Sequence, residues 1–130
     1  MTEAAVAPKV RTARLLLVDD EPDVRKFCAD LFQEAGYSVT VAEDGKKGAR
    51  AALEGRFDVA VIEYRLPDCR GIALVRWLHR RFPALPLIVF SAYADWDMFF
   101  RAGRAGAKDV IAKTSSPREL LRVVGSSTAR

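Results

Sequence analysis

Short unbroken apolar runs alternate along this chain with longer segments in which apolar residues recur every three or four positions. Leu15–Val18, Val59–Ile62 and Leu87–Phe90 are continuous runs, the pattern of strands covered on both faces. Tyr37–Ala42 and Val110–Ala112 supply two further strands. Between them, Val24, Phe27, Cys28, Leu31, Phe32 and Ala35 fall at helical spacing. Pro22 suits that helix's first turn, and Gly36 stops it. Asp44–Leu53 predicts a second helix, ended by Gly55. Ile72, Leu74, Val75 and Leu78 mark a third, closed before Pro83. Asp95–Ala105 predicts a fourth with Asp95 as cap. Ser116-Pro117 opens the last helix, and Glu119 completes a capping-box pattern. Leu120, Leu121, Val123 and Val124 give that helix its apolar face, and Gly125–Arg130 is expected to fray. Five strand–helix units with short connections predict a parallel sheet with helices on both faces. The expected organisation is a loose arm over residues 1–12, one folded domain over 13–125 and a flexible tail over 126–130.

Composition fits a single domain. The chain has 130 residues, half of them hydrophobic, enough to build a core. Cys28 and Cys69 make no disulfide framework, and neither has a second thiol or histidine at metal-ligand spacing, so structural zinc is not expected. Cys28 falls on an apolar helix face and Cys69 in a loop. No apolar stretch reaches membrane-spanning length and no signal segment is recognisable, so a reducing cytoplasm is the expected compartment. The net charge of +4 comes from 21 basic residues interleaved with 17 acidic ones. That reads as a solvated mixed surface rather than a nucleic-acid footprint. The nearest approach to a patch is Arg76, His79, Arg80 and Arg81.

Candidate chemistry collects at the strand ends, where open parallel sheets place their functional groups. The first strand runs into Asp19-Asp20, the third into Glu63, the fourth into Ser91 and the fifth into Lys113. Each feature alone has an ordinary explanation, since paired acids after a strand often only cap a helix. Their conjunction in this order is far less ordinary. Three carboxylates in one crevice repel by about 3 kcal/mol per pair at about 5 Å and an effective dielectric near 20. Lys113 is the one basic group the sequence offers at that end. A hard divalent cation with oxygen ligands, Mg²⁺ above all, would complete the charge balance. A metal-anchored carboxylate beside a hydroxyl and an ammonium is what phosphoryl transfer to a carboxylate requires.

With these residues in place, the chain from about Arg14 to Val124 resembles the receiver domain of two-component response regulators, the CheY-like superfamily. The resemblance rests on Leu17-Val18-Asp19-Asp20-Glu21-Pro22, the Leu66-Pro67-Asp68 loop with Gly71, Ser91-Ala92, Ala105-Gly106-Ala107 and Lys113. It implies a flavodoxin-like (βα)5 doubly wound parallel sheet, an α/β fold of strand order 2-1-3-4-5. It also implies roles. Asp20 would ligate Mg²⁺ directly and Asp19 mostly through water, with Glu63 and the main-chain carbonyl of Arg65 as further ligands. Ser91 would be the switch hydroxyl and Lys113 the phosphate-binding lysine. The implied partners are a sensor histidine kinase or phosphotransfer protein upstream. Downstream stands an output domain or protein, met through the helix 4–strand 5–helix 5 face. The implied activity is a protein-interaction switch in phosphorelay signal transduction rather than an enzyme. Direct nucleic-acid binding is not expected, since no DNA-binding segment follows the final helix, and membrane binding is not expected, since no apolar stretch is long enough to span one.

Three departures qualify the resemblance. Glu63 stands at the phosphoacceptor position, where the family has aspartate. Its extra methylene moves the carboxylate by up to about 1.5 Å, and misplacement by about 1 Å can cost about a hundredfold in an aligned reaction. Two outcomes stay open: a disabled or phosphorylation-independent pseudo-receiver acting as a protein-binding module, and a partly phosphomimetic switch whose imitation is incomplete. Val110 replaces the usual aromatic three residues before Lys113, so a ring-flip readout is not expected. Thr114 replaces the customary proline, so the usual cis peptide is not expected either. Gly103 suggests a pliable fourth helix. Nearby Tyr93, Trp96, Phe99 and Phe100 offer a recognition surface, with Phe99 or Phe100 expected in the core. Two other readings fit less well. An aspartate-nucleophile phosphatase needs an acid two residues after its nucleophile, a place Glu21 fills only loosely. A flavin module needs a hydroxyl- and Gly-rich loop where Asp20-Glu21-Pro22-Asp23 would repel phosphate.

Overall fold

The computed structural model describes residues 12–92 and 94–128. Tyr93, nearly all of the expected N-terminal arm and residues 129–130 lie outside the described residues. Strands and helices alternate throughout: β1 (Arg14–Val18), α1 (Pro22–Glu34), β2 (Ser38–Ala42), α2 (Gly45–Glu54), β3 (Val59–Glu63), α3 (Gly71–Arg81), β4 (Leu87–Ser91), α4 (Trp96–Ala105), β5 (Asp109–Ala112) and α5 (Pro117–Thr128). The five strands are parallel in the order β2-β1-β3-β4-β5. This is the flavodoxin-like α/β sheet that the pattern predicts.

Alternation along each central strand divides the core in two. Leu16, Val18, Ala60, Ile62, Leu87 and Val89 pack against Ala52 of α2, Leu74, Val75 and Leu78 of α3, and Ala102 and Ala105 of α4. Leu15, Leu17, Val59, Val61, Ile88 and Phe90 face Cys28 and Phe32 of α1, and Leu120, Val123 and Val124 of α5. β3 and β4 are buried at every position, as strands between two helix layers must be. Chain order reverses between β1 and β3, so the ends of those two strands flank the topological switch point.

Local signals set the helix starts. Asp44 accepts the Lys47 N–H at 2.7 Å and caps α2. Asp95 accepts the Met98 N–H at 2.8 Å and caps α4. Ser116 Oγ accepts the Glu119 N–H at 3.1 Å, one half of the expected capping box, while the Glu119 carboxylate turns to Arg122.

Two expectations fail. The C-terminal end does not fray at Gly125, because α5 continues through Thr128. Ser127 is buried and donates to the Val123 carbonyl, and Thr128 Oγ1 lies 3.2 Å from the Tyr37 hydroxyl. The first bond closes the last turn of α5 on itself, and the second ties it to Tyr37, the residue before β2, despite the glycine within that turn. The aromatic residues of α4 do not join the core either. Its buried stripe is Met98, Ala102 and Ala105, spaced i, i+4, i+7. That register turns Phe99 and Phe100 to solvent, with 48% and 62% exposed. Phe27 on α1 is likewise exposed, because Cys28 and Phe32 form that helix's buried line.

The connection from β3 into α3 brings the start of α3 against the end of β3. The Gly71 N–H donates to the Tyr64 carbonyl at 2.6 Å. A Cβ at Gly71 would lie 2.0 Å from the Glu63 carbonyl oxygen. Gly106 is needed for a different reason: it ends α4 with φ of 118° and lies against the His79 ring. Gly103, by contrast, has open space where a Cβ would go and lies in mid-helix. Gly71→Ala is therefore expected to lower unfolding stability by about 3 kcal/mol, and Gly103→Ala to raise it by up to about 1 kcal/mol. Urea titration of both variants against the parent chain checks this; equal effects would contradict the assigned packing.

Candidate functional site

The carboxyl ends of β1, β3, β4 and β5 converge on one acidic pocket. Asp19 and Asp20 follow β1 directly, and Asp19 is anchored by its N–H on the Ala42 carbonyl at 3.0 Å. Glu63 is the last residue of β3, in register with Phe90 of β4. Ser91, buried, ends β4 and pairs with Ala112. Lys113 follows β5, and its N–H donates to the Ser91 carbonyl at 2.7 Å. Ligand oxygens of Asp19, Asp20 and Glu63 all lie within 4.8 Å of one another, Asp19 and Glu63 buried and Asp20 exposed. The sheet register thus gathers Asp19, Asp20, Glu63 and Lys113, and places Ser91 beside them through the backbone. Arg65 reaches the pocket by its N–H, 3.2 Å from Glu63 Oε2.

Lys113 is the electrostatic centre. Its side chain is 10% exposed and pairs with three acids: Asp19, Glu21 and Glu63. Nζ lies 3.1 Å from Asp19 Oδ2, but off the line of a hydrogen bond, and makes only a long 3.5 Å bond to Oδ1. It also lies 5.6 Å from the centroid of the Phe90 ring, a further attraction for a cation.

The titration of the pocket follows from one cation serving several anions. Burial pushes the Asp19 and Glu63 carboxyls above the usual carboxylate range. The Glu21 N–H and Lys113 oppose this at Asp19, and Lys113 and the Arg65 N–H oppose it at Glu63, without overcoming it. For Lys113, burial alone would lower the pKa, but Glu21, Glu63 and Asp19 together hold it above its ordinary value. A pairing that favours the ammonium thus leaves both buried acids short of compensation, because the same ammonium is divided among three carboxylates.

Two groups reinforce the pocket that the sequence pattern did not single out for it. Glu21 is the N-cap residue of α1, but its side chain makes no cap hydrogen bond and turns to Lys113 instead. Arg25, one turn into α1, donates to the Asp19 main-chain carbonyl at 2.9 Å. The signal for both was their position in the first turn after the acidic pair, which composition alone does not distinguish from ordinary helix-start charge. Asp68 does a third job. Its two carboxylate oxygens accept the Gly45 and Lys46 N–H groups at 2.8 and 2.9 Å. The loop after β3 thereby caps α2 from outside, and those bonds hold the Asp68 carboxyl below its usual range.

The residues fit a hard divalent cation. Three carboxylates supply oxygen ligands of the right chemistry. Asp19 Oδ2 is buried with no hydrogen-bond partner among the described residues and has only the shared Lys113 ammonium 3.1 Å away, so it is left with lone pairs that a metal cation could take. Among the described residues, no helix is long and apolar enough to cross a membrane.

Comparison with known proteins agrees with the geometry. Residues 15–125 match the family model of the response regulator receiver domain. The transcriptional regulatory protein GltR of Pseudomonas aeruginosa is 33% identical over 109 residues, covering 82% of this chain and 45% of that protein. The response regulator SaeR of Staphylococcus aureus is 32% identical over 116 residues, covering 89% of this chain and 50% of its own length. The chain thus spans about half the length of these curated relatives. Among solved structures, a CheY-like receiver domain protein from Methanospirillum hungatei superposes with a TM-score of 0.87 at 26% identity, covering 91% of this chain and 94% of that one. A Francisella response regulator receiver domain gives 0.85 at 28% identity, covering 90% and 97%. With strand order, acidic cluster and sequence in agreement, the chain belongs to the response regulator receiver domain family of two-component systems.

Proposed function

We propose that this receiver domain is a phosphorelay-derived interaction switch whose setting is governed by Glu63 rather than by transfer of phosphate. Asp19, Asp20, Glu63 and the main-chain carbonyl of Arg65 would hold Mg²⁺, Ser91 would be the switch hydroxyl and Lys113 the phosphate-binding lysine. A bound Mg²⁺ would supply positive charge to offset the carboxylate cluster and to neutralise phosphoryl oxygens. The observation that carries the reading is the occupancy of Glu63. One of its oxygens pairs with Lys113 and the other accepts the Arg65 N–H. A carboxylate engaged on both sides, and one methylene longer than aspartate, is poorly placed to attack a phosphohistidine donor. The same carboxylate reaching Lys113 supplies part of the charge that a phosphoryl group would bring there, though with fewer acceptor oxygens.

The domain would act by protein contact, in the cytoplasm and without turnover of its own. Upstream stands a histidine kinase or phosphotransfer protein. Downstream stands an output domain or protein meeting the α4–β5–α5 face. On that face Trp96 is 85% exposed and meets Phe99 edge-on at 6.1 Å. Val110, at the position where a ring would swing, packs at the edge of the core. Trp96 and Phe99 of α4 therefore form the recognition surface on this face.

Two measurements test this reading. On incubation with acetyl phosphate and Mg²⁺, intact-mass spectrometry is expected to find no stable phosphoryl adduct on the parent chain and to find one on Glu63→Asp. An adduct on the parent chain would refute it. The second concerns pH. Because Asp19 and Glu63 have raised pKa values, the folded state binds more protons than the unfolded state between the ordinary and the raised values. Stability without metal should therefore fall as pH rises through that window, the penalty being fully present above it. Mg²⁺ favours the ionised acids, so its stabilisation should be larger at neutral than at mildly acidic pH. Melting temperatures with and without Mg²⁺ are expected to show that difference, with most of it lost in Asp20→Asn. A metal response indifferent to both pH and Asp20 would rule out the carboxylate cage.

A further inference from the structure

A second recognition feature lies outside the acidic pocket, on the opposite side of the β3–α3 turn. α3 and α4 lie side by side and enclose a groove of about 650 Å³. Arg70 and Arg76 line it from the α3 side and Phe100, Arg101 and Arg104 from α4, with Tyr64 of the β3–α3 connection also in the lining. All four arginines are exposed. The carboxylate in this lining is Asp97, which lies 3.1 Å from Arg101 along α4. Among the described residues, Arg70, Arg76 and Arg104 have no ion-pair partner. Arg104 sits over the exposed Phe100 ring, 5.7 Å from its centroid. That contact positions a planar guanidinium while leaving its N–H edge open to bond a carboxylate in two places.

We propose that this groove docks an acidic polypeptide segment carrying an apolar or aromatic anchor residue. The charge of the lining is the first support. Four guanidiniums converge on one short groove against a single carboxylate, although the rest of the chain interleaves its charges. The second is the apolar part of the lining, which includes Ile72, Ala73 and Phe100, the last 62% exposed. An apolar anchor on the incoming segment would cover that ring, and carboxylates on either side would meet the arginines. A nucleic acid fits less well. Its regularly spaced phosphates ask for a longer basic track, whereas this groove is short and partly aliphatic. The surface is separate from the Trp96–Phe99 pair, which lines a different hollow with Val110. The proposal therefore stands whether or not the pocket binds metal.

The test uses the full chain and a fluorescein-labelled peptide of aspartate and glutamate with a central leucine and phenylalanine, followed by fluorescence anisotropy. Saturable binding that weakens with added salt is expected. It should weaken about tenfold in Arg76→Glu/Arg104→Glu, and again when the peptide's leucine and phenylalanine are replaced by serine. Arg50→Glu/Arg118→Glu carries the same charge change on exposed positions of α2 and α5 and should bind as the parent does. Circular dichroism of both double variants confirms that they are folded. Equal loss in the two double variants, indifference to the apolar anchors, tighter binding of a single-stranded oligonucleotide of matched charge, or no saturable binding would each overturn the proposal.

Discussion

One ammonium shared among three carboxylates governs the functional end of this molecule. Lys113 is held in place by the parallel pairing of β4 and β5, and its charge is spread over Asp19, Glu21 and Glu63. A single cation cannot satisfy so many buried or half-buried anions in a low dielectric. The imbalance leaves Asp19 Oδ2 without a hydrogen-bond partner among the described residues and makes the two buried acids reluctant to ionise. A site of this kind is not built for stability. It stores unfavourable charge that an added cation can relieve, as binding sites commonly do.

The sheet makes that concentration of charge tolerable. β1, β3 and β4 are almost entirely buried between two helix layers, and this packing fixes the strand ends that carry the acids. Helix starts help as well. Arg25 on the first turn of α1 draws on the Asp19 carbonyl, and the Glu21 N–H donates to the Asp19 side chain. What the strands impose, the neighbouring loops partly compensate.

Much of this was legible in the chain. Continuous apolar runs identified the central strands, because residues buried on both faces leave no alternation to misread. The terminal residue of each run named the pocket, since a parallel sheet delivers strand ends to one edge. Other features were not legible because they depend on rotation about a helix axis or on contacts between distant segments. Phe99 and Phe100 are apolar and in mid-helix, yet the small residues Ala102 and Ala105 take the inner face, and nothing local dictates that choice. The continuation of α5 past Gly125 is accompanied by a contact with the distant Tyr37, which a local signal cannot foretell. The partition of Arg101 and Arg104 toward Arg70 and Arg76 is a matter of which helices lie side by side. Glu21 looks like an ordinary helix-start acid until the fold brings Lys113 to it.

The Asp68 clasp has a mechanical corollary. The segment between Glu63 and Gly71 is stapled at one end by the Gly71–Tyr64 bond and in the middle by Asp68 on the first amides of α2. It cannot act as a slack tether that absorbs motion at Glu63. A displacement of that loop would be felt at the first amides of α2 through the two Asp68 bonds.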